Sequence, residues 1–358
     1  MALIAEILLI ISFAIGNTYK FHNVSFLDLS VFIIWLVFFI KNGFKISIPK
    51  PLLVFLVIAG TSLLLAQKWG LSAQLVGLQY LFRFFIYATL PFFHDQKRLV
   101  YRLGIVTVVA GLAQYVFLPD VRFLSALGWD DHYYRVIGSF LDPGFTGLLL
   151  VLFLVFFFEH RHRFMTILSY LALALTYSRS SYLAFSVAFA IIAWQKRSII
   201  IFAKAILILL FTLIILPRNS GGEGVRLSRT SSIQARITNW KESLQIFSDH
   251  PIIGVGFNTY RFAKKDYGFL ENRDWQTNHA GAGADSSLLF VAATTGLLGL
   301  TAYLLYLKKL YMILDTKYFI PIIAHSIFLN SLFYPAVMLL IALLITVDNS
   351  PRSLSSKH

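Results

Sequence analysis

The chain is 358 residues long, 58% hydrophobic and 16% aromatic, with only 13% of its residues charged. That balance excludes an ordinary soluble domain, and apolar runs that are continuous rather than alternating disfavour a membrane β-barrel, leaving a polytopic helical membrane protein. The net charge of +14 lies mostly in short polar breaks, where membrane topology accounts for it without nucleic acid, and the lack of cysteine excludes disulfide and thiolate chemistry.

In chain order the apolar runs fall near 1–16, 26–40, 51–66, 75–93, 99–118, 144–158, 164–177, 181–194, 198–216 and 285–307. The first has no basic leader and no small-residue cleavage site after it, so it reads as an uncleaved span. The last run, 318–347, reads as two short helices broken near Asn330–Pro335. That gives about twelve crossings, or eleven if the run is one helix. The expectation is one all-α integral membrane domain over 1–358.

Basic residues set the direction. Lys41, Lys45, Lys50, Lys97, Arg98, Arg161, Arg163, Lys196, Arg197, Lys308, Lys309 and Lys317 occupy alternate breaks. The other short breaks carry only Lys20, Lys68 and Arg179. Under the positive-inside rule the first group is cytoplasmic, as are both chain ends, including Arg352 and Lys357. Two sizeable segments, 119–143 and 217–284, then lie outside. Within the second, Ile233, Ile237, Trp240, Leu244 and Phe247 recur at helical spacing and predict an amphipathic helix. Ser231 or Ser232 is its expected cap, and Pro251 with Gly254 its end. Such a helix lies on the membrane surface or over the mouth of the bundle.

Several polar residues could carry chemistry. Arg179, in "LTYSRSSYLAF", is a cation on the outer side, against the charge trend. It either snorkels to headgroups or binds phosphate, for which the guanidinium fork is suited. Arg135 and Arg236 flank outer helix ends in the same way. Asp285 either caps the helix it opens or acts as a general base, with His279 the second candidate base. His250 belongs to the helix-ending turn. In "WDDHYYR", Asp130 and Asp131 beside His132 hold a divalent cation, face solvent, or bond a sugar. Tyr133, Tyr134, Trp129 and Trp275 either stack on sugars or are interfacial aromatics. Arg83, inside an apolar run, pairs with Glu6, pairs with Asp28, or reaches a lipid phosphate.

Four stretches, "RVIGSFLDPGFTGLLL", "LTYSRSSYLAF", "ARITNWKESLQIFSDHPIIGVGFNTY" and "ADSSLLFVAATTGLLGL", resemble the bacterial O-antigen ligase and polymerase family. These are GT-C-like integral membrane glycosyltransferases. The resemblance covers about 135–300 in motif and the whole chain in topology. It implies a donor glycan on undecaprenyl pyrophosphate and a site on the outer face of the cytoplasmic (inner) membrane. It implies that Arg179 and Arg236 bind or activate the pyrophosphate, that no metal or cofactor takes part, and that a chain-length regulator is a partner. Family ligases place His, then Asn, Ser or Gln, then nine residues, then Gly-x-x-Gly. Here Asp285-Ser286 precedes nine residues and Gly296-Leu297-Leu298-Gly299. Asp in place of His favours a repeat-unit polymerase over a ligase that transfers to a lipid A core. A flippase for the same lipid and a non-catalytic assembly subunit are the rivals. The absence of an internal repeat and the outer position of the charges speak against the flippase, and Arg83 speaks for it.

Overall fold

The computed structural model describes residues 2–21, 23–46, 48–90, 96–217, 222–270, 275–276 and 283–348. Its helices are α1 (Ala2–Ile15), α2 (Phe26–Lys41), α3 (Lys50–Ser62), α4 (Leu71–Ala88), α5 (Gln96–Phe117), α6 (Pro143–Glu159) and α7 (Arg163–Ala174). They continue as α8 (Arg179–Gln195), α9 (Ile199–Ile215), α10 (Ser231–Asp249), α11 (Tyr260–Asp266), α12 (Ser287–Tyr311), α13 (Thr316–Ser326) and α14 (Pro335–Asp348). Two short antiparallel strands, β1 (Lys20–Phe21) and β2 (Val24–Ser25), join α1 to α2. The apolar helices fall on the expected runs, and the last run breaks where expected, with a 3₁₀ turn at Ser331–Phe333. Among the described residues three stretches are long and apolar enough to cross a membrane: Lys50–Trp69, Lys97–Phe117 and Ser287–Tyr311. Shorter apolar helices accompany them.

Helix α6 is the centre. Its stretch Gly147–Phe157 is buried on every side, against α5, α7 and α8. Helix α9 is equally apolar, yet it buries only Ala205, Leu209 and Thr212, while Leu207, Leu210, Phe211 and Ile214 are exposed. A helix apolar all round whose surface stays uncovered belongs against lipid.

The sequence left three partners open for Arg83, and the fold selects Asp28. Asp28 closes the capping box of α2 with Ser25 and lies 2.9 Å from the Arg83 guanidinium. Tyr87 donates to the same carboxylate, and Arg83 also donates to the Asn23 carbonyl. Glu6 pairs instead with Arg102. The costly intramembrane cation is thus neutralised locally and braces α2 to α4.

Helix α12 is not straight. Gly296 has φ 65° and ψ −166°, which breaks the helical ladder. The Phe333 ring lies 5.1 Å from Phe290 and 5.3 Å from Tyr303. Along a straight helix those two positions would be ~20 Å apart, so α12 bends around Phe333. The segment after α10 fills the break. Leu297 and Leu298 N–H donate to the carbonyls of Pro251 and Ile252 at 2.7 and 3.3 Å. Val255 and Gly256 N–H donate to Ala293 and Thr294 at 3.1 and 2.9 Å. The backbone groups freed by the bend are satisfied inside protein, as a low-dielectric setting requires.

Helix α10 ends at this stitch and runs beside the first part of α12. Its polar side faces the protein and much of its apolar stripe faces outward. The buried face is Asn239, Ser243 and Ile246, while Ile233, Ile237 and Leu244 remain 46%, 38% and 50% exposed. The polar face packs inward because it carries the site described below. Neither Ser231 nor Ser232 caps the helix. Thr230 holds the cap position without a side-chain bond, and the Ser232 hydroxyl accepts from Arg179.

A Cβ on Gly296 would lie 2.3 Å from the Ile252 carbonyl carbon, and a Cβ on Gly254 2.4 Å from the Thr294 carbonyl carbon. Gly296→Ala should therefore lower stability by ~1–3 kcal/mol. The effect is measurable as a lower melting temperature and yield of detergent-solubilised protein, and Gly43→Ala, with nothing near its Cβ, is the matched control for strain alone.

Candidate functional site

Three helix N-termini meet beside α10. Asp142 caps α6, accepting from the Gly144 and Phe145 N–H groups at 2.7 and 2.8 Å. Ser178 caps α8, and Ser286 caps α12. Asp285 therefore does not cap α12. It stands one residue before the cap, and its carboxylate is released from that duty. The positive ends of the helix dipoles add to the charge gathered here.

Arginines collect around the tight turn between α7 and α8. Tyr177 in this turn has φ 51°. Arg135 is buried, 7% exposed, and donates from Nε to the Thr176 carbonyl at 2.9 Å and from Nη2 to the Tyr177 carbonyl at 3.4 Å. Arg229 reaches the same Tyr177 carbonyl at 3.3 Å and the Gly224 carbonyl at 2.6 Å. Arg179 reaches across to the segment before α10. It donates to the carbonyls of Leu227 and Arg229 at 3.3 and 3.0 Å and to the Ser232 hydroxyl at 2.5 Å. A snorkelling side chain would point away from the protein, and this one is tied into it.

Arg236 differs from these three. Among the described residues no hydrogen bond engages its guanidinium, which lies 5.8 Å from the Phe328 ring centre. It is half-buried and feels Asp285 and Asp142 as attraction and Arg179 as repulsion.

The electrostatics follow from burial. Burial first, with Arg229 beside it, lowers the Arg135 pKa to about 9. Burial also lowers that of Arg236, opposed by Asp285. The Asp285 carboxyl is raised to about 6, chiefly by burial, against the pull of Arg236 and Lys264 and with added push from Asp142 and Asp130. His132 is held neutral, its pKa lowered to about 3 by burial and by Arg135 and Arg229.

The remaining expected residues divide. Asp130 is exposed but faces the cluster, close enough to Asp142 and Arg135 to feel both. Asp131 is exposed and interacts with Arg122 instead. The adjacent acids thus look toward different partners, and among the described residues no group of three metal-ligating side chains forms. Tyr134 is half-buried, stacked edge-on against Tyr133 and Tyr115. Trp275 packs edge-on against Phe262. His279 lies outside the described residues. His250 caps the C-terminus of α10, as its place in the turn predicts.

Four participants were not read from the sequence. Arg229 sits in an irregular segment, where spacing carries no face information. Asp142 shows only as a helix opener. His325, buried on α13, lies 2.7 Å from Ser331 and 3.4 Å from Ser181, linking the last break to the start of α8. Asn239 bonds the Asp285 main chain. Its one signal is its place three residues after Arg236, on the same helix face.

The stretch from α7 into α12, residues 164–304, matches the family described as O-antigen ligase. Over that stretch the chain is similar to the O-antigen ligase family. Arg179, Arg229, Arg236, Asn239 and Asp285 fall inside the matched segment, and Arg135 and Asp142 precede it. A search of curated proteins finds no match.

A cation cluster with one unengaged guanidinium should take up a polyanion. Inorganic pyrophosphate at about one hundred times its Kd would stabilise the fold by ~2.7 kcal/mol. The melting temperature of the wild type should rise with pyrophosphate, less so at high salt. Arg236→Ala should lose most of the rise. Arg122→Ala, whose exposed guanidinium pairs with Asp120, should keep it.

Proposed function

We propose that the protein is a polysaccharide repeat-unit polymerase at the outer face of the cytoplasmic membrane. It transfers a glycan from undecaprenyl pyrophosphate to a hydroxyl of a second lipid-linked repeat. The observation that carries this reading is the Arg236 guanidinium, unengaged by the described protein groups, set between Asp285 and the other arginines. Glycan transfer of the ligase/polymerase kind agrees with the family. Asp285 in place of a histidine supports a polymerase. The basic residues Lys196 and Lys317, paired with Glu159 and Asp315 at the opposite helix ends, support an outward-facing site.

In the proposed reaction the acceptor oxygen attacks the anomeric carbon of the donor's reducing-end sugar. Its proton passes to the Asp285 carboxylate. The bond from the anomeric carbon to the pyrophosphate oxygen breaks, and undecaprenyl pyrophosphate leaves with the electron pair. Arg236 meets the charge that grows on that oxygen, with Arg179 and Arg229 behind it. Arg135 acts through the Thr176–Tyr177 turn, which it holds in place. Charge stabilisation by fixed guanidinium groups needs no metal, so a chelator should leave turnover unchanged. Asp130, Tyr134 and Trp275 are the candidates for contacts to sugar, and a chain-length regulator is the expected partner.

A base with a pKa of about 6 is ionised at neutral pH and still close to the operating range. The sign follows: acid protonates Asp285 and removes the base, so kcat/KM should fall as pH drops through about 6. The test uses purified full-length protein with undecaprenyl-pyrophosphate oligosaccharides extracted from the cells that make it. Wild type should extend the lipid-linked chains. Arg179→Ala should lose ~10²–10³ in rate, like a lost oxyanion donor, and Asp285→Asn should lose ~10²–10⁴. Normal turnover by Asp285→Asn would move the base to His279. Transfer to a lipid A core without chain extension would make the protein a ligase. Translocation without a new glycosidic bond would make it a transporter.

A further inference from the structure

Asp285 lies in an irregular stretch just ahead of the cap of α12, and among the described residues it caps no helix. Its position nevertheless has a fixed reference. Asn239, 9% exposed, accepts the Asp285 N–H on Oδ1 at 2.8 Å and donates from Nδ2 to the Gly283 carbonyl at 3.2 Å. One orientation of the amide satisfies both contacts, because an N–H requires an acceptor and a carbonyl requires a donor. On the same helix face, one turn earlier, is Arg236, and one turn before that is Ser232, which accepts from Arg179. One turn after Asn239, the Ser243 hydroxyl lies 2.6 Å from the Tyr260 hydroxyl. Helix α10 therefore touches the cations and the acid through one row of side chains.

We propose that Asn239 is a positioning residue that sets the register between Asp285 and Arg236, so that base and leaving-group cation face one reacting centre. The inference rests on the reading of Asp285 as the base. Its physical content is geometric. A displacement of ~1 Å in a reacting group costs on the order of 10²-fold in rate. Two hydrogen bonds to the segment that carries the carboxylate, one at Gly283 and one at Asp285, from the helix that carries the cation, remove that freedom.

The experiment uses full-length protein in lipid nanodiscs with the same extracted lipid-linked oligosaccharides. Asn239→Ala should lower kcat by about 10–100-fold and leave the donor KM within about twofold, because Arg179, Arg229 and Arg236 still bind the donor. Asn239→Asp keeps an acceptor for the Asp285 N–H and adds a carboxylate beside it. Asp285 already faces Asp142 and Asp130 as like charges, Arg236 and Lys264 as opposite ones, and Tyr260 as a neutral neighbour. A further negative charge makes its proton harder to lose, so the acid limb of kcat/KM should move to higher pH. That shift reads the nearness of position 239 to Asp285, while the kcat-against-KM split of Asn239→Ala reads positioning, since a merely structural asparagine would leave the kcat of the folded enzyme unchanged. Wild-type kcat in Asn239→Ala, a loss confined to donor KM, or an unmoved limb in Asn239→Asp would overturn the proposal. If the alanine variant does not fold, Asn239→Gln, which keeps the amide and displaces it by one methylene, decides by the same kcat-against-KM split. The parent reading fails separately: Asp285→Asn at full turnover sinks the base, whereas an inactive Asp285→Asn beside a fully active Asn239→Ala sinks only the positioning role.

Discussion

The arrangement depends on a break in one helix and the backbone that mends it. Gly296 interrupts α12, and the freed N–H and C=O groups pair with residues 251–256. In an apolar setting such groups cannot be left unpaired, each costing several kcal/mol. The bend is therefore affordable only with the inserted segment in place, and the segment is held only by the bend. Because α10 leads directly into that segment, the stitch fixes one end of the helix that bears Arg236 and Asn239. The Asn239 contacts to Gly283 and Asp285 fix it a second time, ahead of α12. Two anchors along one helix leave little freedom to slide.

Around this frame the charges are arranged by cost. Arg135 is the most enclosed of the arginines, and two backbone carbonyls compensate it. Arg179 and Arg229 are half-buried and spend most of their donors on the protein. Arg236 retains its donors, at the price of repulsion from its neighbours. A cluster of like charges held together by the fold is poised for an anion, since the ligand removes repulsion as well as adding attraction. The acids Asp142 and Asp285 offset part of the repulsion within the cluster. A buried carboxyl among arginines is pulled both ways, and for Asp285 burial prevails.

Much of this was legible in the sequence, for identifiable reasons. Long apolar runs mark helices whatever the tertiary context, so α1–α9 and α12 could be placed from hydropathy. The break before α14 could be read from Asn330 and Pro335, because proline and its neighbour resist helix continuation. The Ile233–Phe247 period identified α10. The period alone did not say which side packs on the protein, and the polar residues Asn239 and Ser243 take that side. Arg179 and Arg236 stood out as cations on the wrong side. Arg229 did not, since an irregular chain has no face to read. The bend at Gly296 was also invisible: a glycine between Thr294–Thr295 and Leu297–Leu298 has the same local signature whether the helix continues or stops. What distinguishes the cases is the partner strand of backbone some forty residues earlier.

The outward stripe of α10 has a consequence for how the protein senses its surroundings. Ile233, Ile237 and Leu244 are exposed on the helix whose adjacent face carries Arg236 and Asn239. Hydrocarbon pressing on one side of a rigid rod is felt on the other. An apolar phase seated on that stripe would thus bear on the helix that carries the cluster, without touching any polar residue.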